Sequence, residues 1–276
     1  MDNKNWSRNI SRINYCEFVK EIIKNDELFK NFRSQSIYNA VVTGGCPERG
    51  KWYLNYLIDN YGISYIKDNL NYIIDIDKVG TPITFDFKLK NYTFNSSDTG
   101  ITFLYVLSLI KKNLLDNLDN LKIVELGCGF GALTKIYNDK YGFKEYNIID
   151  LPYVNKLIEK YLNKYYDNDI MSKINFLTDK TIKNEKYDIF ISYYAFTEIN
   201  HSLKMFYFNK IIKNCNCGII FGSILNKDKD NSINNDLLSE FKKYFSFVKV
   251  ELDKPYGYNN KKRIQRKKPY ILYFKK

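Results

Sequence analysis

A glycine-rich run and a downstream acid are the residues of this sequence best suited to chemistry. The run is Glu125-Leu126-Gly127-Cys128-Gly129-Phe130-Gly131, and Asp150 stands nineteen residues after its last glycine. Glycines let the backbone turn tightly and let a ligand approach the main chain, and an acid at this distance suits ribose hydroxyls. The spacing therefore predicts a nucleoside-binding loop.

Two ligands compete for such a loop, a dinucleotide and S-adenosylmethionine. The dinucleotide fingerprint is G-x-G-x-x-G, whereas the spacing here is G-x-G-x-G. Glu125 precedes the glycines; a carboxylate there repels a pyrophosphate but suits the cationic amino-acid end of S-adenosylmethionine. Asp179 is placed for the adenine amino group. We therefore expect S-adenosylmethionine, released as S-adenosylhomocysteine, on Glu125, Gly127, Cys128, Gly129, Gly131, Asp150, Leu151, Asp179 and Tyr193.

The elements that must position these residues alternate between short apolar runs and helical patterns. Strands are predicted at 123–126, 146–149, 174–177, 187–191, 218–221, 247–252 and 270–274. Because no helix separates the last two, the final strand should pair antiparallel. The prediction is an α/β fold with a Rossmann-like, doubly wound, seven-stranded sheet. A mostly helical N-terminal region (1–95), with Tyr72-Ile73-Ile74 and Ile83 to Phe87 extended, precedes the sheet domain (96–276).

The glycine-rich run, with Val124 before it, resembles motif I of class I S-adenosylmethionine-dependent methyltransferases. The wider chain resembles the sugar O-methyltransferase family of carbohydrate-synthesis loci. This likeness covers about two thirds of the sequence: it runs through 77–82, 146–152 and 191–198 and ends in 270–274, while the first 70 residues match poorly. The resemblance implies a sugar hydroxyl as methyl acceptor, on a free sugar, a nucleotide-sugar or a glycan, and leaves open which sugar it is.

The acceptor should lie beyond the carboxyl end of the strand that precedes Tyr193, because ligands of open α/β sheets bind at that edge. A general base there would take the hydroxyl proton, and His201 and Glu198 are the two candidates. His201 is favoured because histidine titrates near neutral pH. Tyr193 and Tyr194 are expected to wall the pocket. No cluster of metal ligands is visible, although acids near the site could hold magnesium.

The net charge of +12 is concentrated near the C-terminus. Nine basic residues and no acid lie between Lys254 and Lys276, and six of the nine fall within 261–268. The loop joining the last two strands would then place Lys262, Arg263 and Arg266 on the substrate side. These residues are either a solvated basic hairpin or a grip for a phosphate on the acceptor.

Composition excludes several other classes of protein. The 276 residues are 45% hydrophobic and 27% charged, as in globular chains, and no apolar run is long enough to span a membrane. Five irregularly spaced cysteines and the lack of a secretory signal predict a cytoplasmic protein without a disulfide scaffold. The run from Gly45 to Lys51 imitates a P-loop, but Trp52 replaces the magnesium-binding Ser or Thr. A turn that helps to close the substrate pocket is expected there instead.

Two alternative functions stay open at this point, and so does the role of the N-terminal helices. The charge suggests a nucleic-acid methyltransferase, but no signature for methylation of base amines follows the fourth strand. An RNA ribose O-methyltransferase stays possible, because that chemistry needs only activation of a hydroxyl. A catalytically silent methyltransferase-like subunit is the non-enzymatic alternative, which the intact Glu125, Gly127, Gly129 and Asp150 disfavour. The N-terminal helices could either cap the site or form a homodimer.

Overall fold

The structure, a computed structural model, describes residues 10–43, 45–225, 235–253 and 267–276. The N-terminal helical elements are α1 (Ile10–Lys24), α2 (Asp26–Asn31), α3 (Ser36–Tyr38), a π-helical turn (Asn39–Thr43), α4 (Pro47–Asp68, kinked at Gly62) and α5 (Leu70–Asp75). After them come the hairpin strands β1 (Phe85–Leu89) and β2 (Tyr92–Ser96), and then α6 (Asp98–Asn113). The remaining elements are β3 (Leu121–Leu126), α7 (Ala132–Tyr141), β4 (Phe143–Ile149), α8 (Pro152–Leu162), α9 (Asn168–Met171), β5 (Ile174–Leu177), β6 (Tyr187–Tyr193), α10 (Ala195–Glu198), α11 (His201–Lys210), β7 (Cys215–Leu225), α12 (Asn235–Tyr244), β8 (Phe247–Leu252) and β9 (Lys267–Lys275).

The last seven strands form one sheet in the order β5-β4-β3-β6-β7-β9-β8. Strands β3 to β7 pair in parallel, whereas β9 pairs antiparallel with both β7 and β8. The predicted seven-stranded α/β sheet with an antiparallel last strand is therefore confirmed. Because β3 lies between β4 and β6, the strand order reverses there, and a crevice opens beyond its carboxyl end.

Both faces of the sheet are covered, which explains the continuous apolar runs of the strands. On one face Ile123, Ile148 and Ile191 share a buried core with α1, α4, α6, α7 and α8. On the other face Val124, Ile149 and Phe190 pack with α11 and α12. Among the described residues, no helix is long and apolar enough to cross a membrane.

One sequence expectation in the N-terminal region was wrong. Tyr72, Ile73 and Ile74 belong to helix α5 and are not extended. A Cβ added at Gly100 of α6 would lie 2.5 Å from the carbonyl oxygen of Ile73, so the two helices cross at close range. This tertiary contact outweighs the β propensity of two adjacent isoleucines. The extended pattern from Ile83 to Phe87 does lead into strand β1.

A buried arginine fastens the N-terminal helices to the sheet domain. Arg33 donates from Nη1 to Ile76 O at 2.6 Å and from Nη2 to Asp77 Oδ1 at 2.9 Å. Asp77 Oδ2 in turn accepts from the backbone N–H of Ser97, which precedes α6, at 2.6 Å. The guanidinium of Arg33 also lies 4.3 Å from the ring centroid of Phe130. The 77–82 segment thus anchors the N-terminal region against the glycine-rich loop.

Candidate functional site

The glycine-rich loop turns between β3 and α7 at the carboxyl edge of the sheet. Gly127, Gly129 and Gly131 all have positive φ, at 80°, 67° and 95°. At Gly127 the absence of a side chain is required twice over, since an added Cβ would lie 2.0 Å from the Cβ of Ala195. The loop therefore packs directly against the turn that follows β6, bringing the two predicted halves of the site together.

Asp150 lies where the sequence predicts it, at the end of β4 and against the loop. Its Oδ2 accepts from the backbone N–H of Cys128 at 3.1 Å, and its Oδ1 accepts from that of Leu151 at 2.8 Å. Burial raises the pKa of Asp150 to about 7, and the backbone amides of Leu151, Cys128 and Gly129 oppose the rise. Asp150 thus connects the loop to the start of α8, beside the crevice.

N-terminal tyrosines cover this acid. Tyr15 of α1 and Tyr38 of α3 are buried, with ring centroids 5.8 Å apart. Burial raises the pKa of both hydroxyls, and the charge of Asp150 is near enough to raise each further. The Tyr38 hydroxyl has no hydrogen-bond partner among the described residues. Helices α1 and α3 therefore close the Asp150 side of the crevice.

Glu125 lies beneath the loop rather than in the crevice. The side chain is 1% exposed, and its Oε2 accepts from the Tyr146 hydroxyl at 2.7 Å. Burial raises the pKa of Glu125 to about 7, against hydrogen bonds from Tyr146 and Cys128. Glu125 thus supports the loop through Cys128, and its pairing with an amino group of the ligand stays a prediction.

Asp179 follows β5, the strand that pairs with β4. Its side chain is half-buried. Burial raises the pKa of the Tyr207 hydroxyl, and the negative charges of Asp179 and Asp150 raise it further. The Tyr207 hydroxyl is buried and has no hydrogen-bond partner among the described residues. The two predicted acids therefore converge on one tyrosine of α11.

A cavity adjoins the glycine-rich loop and Tyr193 at the end of β6. Its lining joins the predicted Cys128, Gly129 and Tyr193 to residues of α4 and α6 that the sequence motifs do not reveal. Arg49 lies on α4, and Thr99, Thr102 and Phe103 lie on α6. Val42 of the π-helical turn and Phe130 of the glycine-rich loop complete the lining. The N-terminal region therefore contributes directly to the candidate site.

Arg49 reaches the cavity from the segment that imitates a P-loop. Helix α4 begins inside that segment, at Pro47, and residues 10–43 before it contain no strand. The segment therefore lacks the strand that precedes the phosphate-binding loop of a P-loop protein. Arg49 Nη2 lies 2.6 Å and Nε 2.8 Å from Asp98 Oδ2, with Asp98 fully buried at the start of α6. Burial raises the pKa of Asp98, while Arg49 lowers it.

A second polar cluster, which the sequence did not predict, adjoins the hydroxyl of Tyr193. The Tyr193 hydroxyl is 3.5 Å from that of Tyr53, and the Tyr53 hydroxyl donates to Asp253 Oδ2 at 2.8 Å. The Tyr105 hydroxyl donates to Asp253 Oδ1 at 3.0 Å. Asp253 directly follows β8, so α4, α6 and β8 meet at this carboxylate.

The predicted general bases lie apart from the cavity. Glu198 ends the single-turn helix α10 and His201 begins α11, and both are exposed and absent from the cavity lining. Tyr194 precedes α10 with a φ of 69°, a strained conformation for a residue with a side chain. Lys262, Arg263 and Arg266 lie outside the described residues. In the described part of the chain, no group of three or more His, Cys, Asp or Glu could hold a metal ion.

Comparison with known proteins yields structural likeness only. No protein-family model matches the chain, and no curated protein sequence does either. The structure is similar to magnesium protoporphyrin IX methyltransferase from Synechocystis PCC 6803 with bound S-adenosylmethionine (TM-score 0.45, 14% identity, 81% of this chain and 96% of that chain). It is also similar to phosphoethanolamine N-methyltransferase 2 of Haemonchus contortus in complex with S-adenosylhomocysteine (0.47, 12%, 62% and 52%) and to the methyltransferase domain of bacterial CtHen1 (0.43, 12%, 63% and 97%). At such scores the likeness bears on neither family nor reaction.

Proposed function

We propose that this protein is an S-adenosylmethionine-dependent O-methyltransferase that transfers a methyl group to a hydroxyl of a sugar. The observation that carries the proposal is the position of Asp150, 3.1 Å from a backbone amide of the glycine-rich loop at the point where the strand order reverses. A nucleoside entering this crevice meets a carboxylate for its ribose and loop amides that no side chain shields. Asp179, which follows the neighbouring strand β5, is proposed for the adenine.

The reaction is an in-line displacement at the sulfonium methyl. The acceptor oxygen forms a bond to the methyl carbon, the carbon–sulfur bond breaks, and its electron pair stays on S-adenosylhomocysteine. Holding the acceptor against the methyl group supplies much of the rate. Arg49, Thr99, Thr102 and Tyr193 give the cavity polar side chains for a hydroxylated acceptor. The sugar itself is proposed on the family resemblance, with Tyr194, Lys262, Arg263 and Arg266 as its binding residues.

Binding of the donor is the first test. Calorimetry with S-adenosylmethionine and S-adenosylhomocysteine should show binding that Asp150→Ala weakens roughly tenfold to a hundredfold, since hydrogen bonds to a charged group are lost. Asp86→Ala removes an exposed carboxylate from β1 and should bind like the unaltered protein. If the unaltered protein binds neither compound, it is not an enzyme of this kind.

The acceptor is tested separately with a panel of free sugars, nucleotide-sugars and RNA, by following formation of S-adenosylhomocysteine. Methylation of a sugar or nucleotide-sugar supports the proposal. Methylation of RNA alone would overturn the sugar acceptor, and nucleoside analysis of the product would then show whether the methyl group is on the ribose, the alternative that the +12 charge allows. Donor binding without methylation of any member would favour the silent binding subunit.

A further inference from the structure

Asp253 is a buried carboxylate held on three sides. It is 1% exposed at the end of β8, and each oxygen accepts one tyrosine hydroxyl, from Tyr53 at 2.8 Å and from Tyr105 at 3.0 Å. Its backbone N–H donates to Pro269 O on β9 at 3.0 Å. A carboxylate fixed in this way has one defined position and one defined set of proton donors.

Only one of the two tyrosines leads towards the candidate site. The Tyr53 hydroxyl is 3.5 Å from the hydroxyl of Tyr193, which lines the cavity together with Cys128 and Gly129 of the glycine-rich loop. The Tyr105 hydroxyl, in the described residues, bonds Asp253 alone. A continuous line of exchangeable protons therefore runs from the cavity through Tyr193 and Tyr53 to Asp253.

Resting on the methyltransferase function proposed above, we propose that Tyr193, Tyr53 and Asp253 form a relay that removes the proton of the acceptor hydroxyl. As the acceptor oxygen bonds to the methyl carbon, its proton passes to Tyr193 Oη. The Tyr193 proton passes to Tyr53 Oη, and the Tyr53 proton passes to Asp253 Oδ2. The carbon–sulfur electron pair remains on the departing thioether, so charge and atoms balance and neither tyrosine holds a negative charge.

The electrostatics of the cluster suit this direction of transfer. Burial raises the pKa of Asp253 to about 6, while Tyr53, Tyr105 and Arg49 oppose the rise and Glu251 adds to it. Among the described residues, Tyr193 on β6 and Tyr273 on β9 also face Asp253. Tyr194 and Tyr56 act on its two tyrosine partners, and Asp98 acts on Tyr193. Above pH 6 Asp253 is therefore ionised yet a stronger base than an exposed aspartate, as general-base catalysis requires. Burial raises the pKa of Tyr53 and Tyr193, which keeps both neutral and able to relay.

The chain offers a matched pair of variants for the test. Tyr53 and Tyr105 are both buried (0% and 2% exposed), their rings stack at 4.2 Å, and each gives Asp253 one hydrogen bond. Tyr53→Phe cuts the relay, whereas Tyr105→Phe removes an equivalent bond beside it. With the acceptor that the panel identifies, kcat should fall at least tenfold further in Tyr53→Phe than in Tyr105→Phe. A positioned base contributes roughly 10²–10⁴-fold.

The pH profile distinguishes a relay from a packing role. In the unaltered protein kcat should decline below about pH 6 as Asp253 becomes protonated. In Asp253→Asn this decline should disappear, with kcat low throughout and the affinity for S-adenosylhomocysteine retained. Should Tyr53→Phe fail to fold, Tyr193→Phe cuts the same path at the cavity and leaves both bonds to Asp253 intact, and its kcat should fall comparably.

Three results would overturn the proposal. Equal losses of kcat in Tyr53→Phe and Tyr105→Phe would reduce the cluster to packing. Loss of turnover in His201→Ala or Glu198→Gln, with Tyr53→Phe still active, would assign the base to the residues after β6. If the unaltered protein binds S-adenosylhomocysteine but methylates no member of the panel, the proposed function fails and the relay with it.

Discussion

Arg49 and Asp98 form a buried ion pair in which two guanidinium nitrogens reach the same carboxylate oxygen, at 2.6 and 2.8 Å. The pair joins the first turns of α4 and α6 beside the cavity. Arg49 lies in a segment that imitates a nucleotide-binding loop, and Asp98 lies at the start of a helix. Neither sequence context indicates that the two residues form an ion pair. The N-terminal region and the sheet domain therefore share this wall of the site.

Removing one partner of this pair should be costly. Arg49→Met leaves the Asp98 carboxylate buried without its charge partner, and breaking a buried pair costs about 3–5 kcal/mol. Urea denaturation should show a loss of about that size, and Arg49→Met with Asp98→Asn should lose less than the sum of the two single variants. Lys243→Met, which breaks an exposed pair with Glu240 on α12, should leave the free energy of unfolding unchanged.

Gly127 should tolerate alanine far less well than Gly142 does. Both glycines have positive φ, at 80° and 66°, and Gly142 also has a ψ of 166°, so each substitution carries backbone strain of about 1–3 kcal/mol. An added Cβ at Gly142 meets nothing within 4 Å, whereas at Gly127 it lies 2.0 Å from the Cβ of Ala195. Gly127→Ala should therefore lower the melting temperature further and displace the loop, with loss of S-adenosylhomocysteine binding in calorimetry. Equal melting temperatures for the two variants would contradict the close contact with Ala195.

The sheet and the glycine-rich loop could be predicted from sequence because their signals are local. Buried strands such as β3 and β6 are continuous apolar runs, and the spacing from the glycines to Asp150 lies within one β–α–β unit. The same local signals wrongly predicted an extended segment from Tyr72 to Ile74, where the close packing of α5 on α6 at Gly100 favours a helix.

The Asp253 cluster shows why the remainder of the site could not be predicted. Tyr53 and Asp253 are 200 residues apart in sequence, and Tyr105 is 148 residues from the same acid. Nothing in the residue types or spacing of three such positions indicates contact, because the fold alone brings α4, α6 and β8 to one edge. Among 25 tyrosines, two that serve a buried carboxylate carry no distinguishing pattern.

Glu125 should make the folded protein less stable as pH rises. Burial raises its folded-state pKa to about 7, above the unfolded value, so between about pH 4.5 and 7 the folded state binds the extra proton. The stabilisation is complete below the unfolded pKa and is lost as pH rises through the folded one. Glu125→Gln should therefore gain stability relative to the unaltered protein by roughly 3 kcal/mol between pH 4 and pH 8, at 1.36 kcal/mol per pKa unit.

Urea denaturation of both proteins at pH 4, 6 and 8 measures that difference. Asp253, whose pKa burial raises to about 6, is common to both proteins and its contribution cancels. The charge of Asp150 adds to the rise in the pKa of Glu125 and is therefore part of the measured difference. A difference that is the same at all three pH values would mean that folding leaves the pKa of Glu125 at its unfolded value, and a difference that narrows as pH rises would mean that folding lowers it.

Cys128 should be unreactive although it lies in the candidate site at the approach to a helix. A thiolate is the reactive form, and burial raises the pKa of Cys128 well above its usual value, with the neighbouring Glu125 adding to the rise. The Cys128 thiol is buried and lies 3.3 Å from the hydroxyl of Thr134 in the first turn of α7. Of the five cysteines, only Cys46 is partly exposed. Iodoacetamide labelling of the native protein, read by peptide mass spectrometry, should therefore modify Cys46 first, and all five only in urea. Rapid native labelling of Cys128, slowed by S-adenosylhomocysteine, would instead show that the loop opens to solvent before the donor binds.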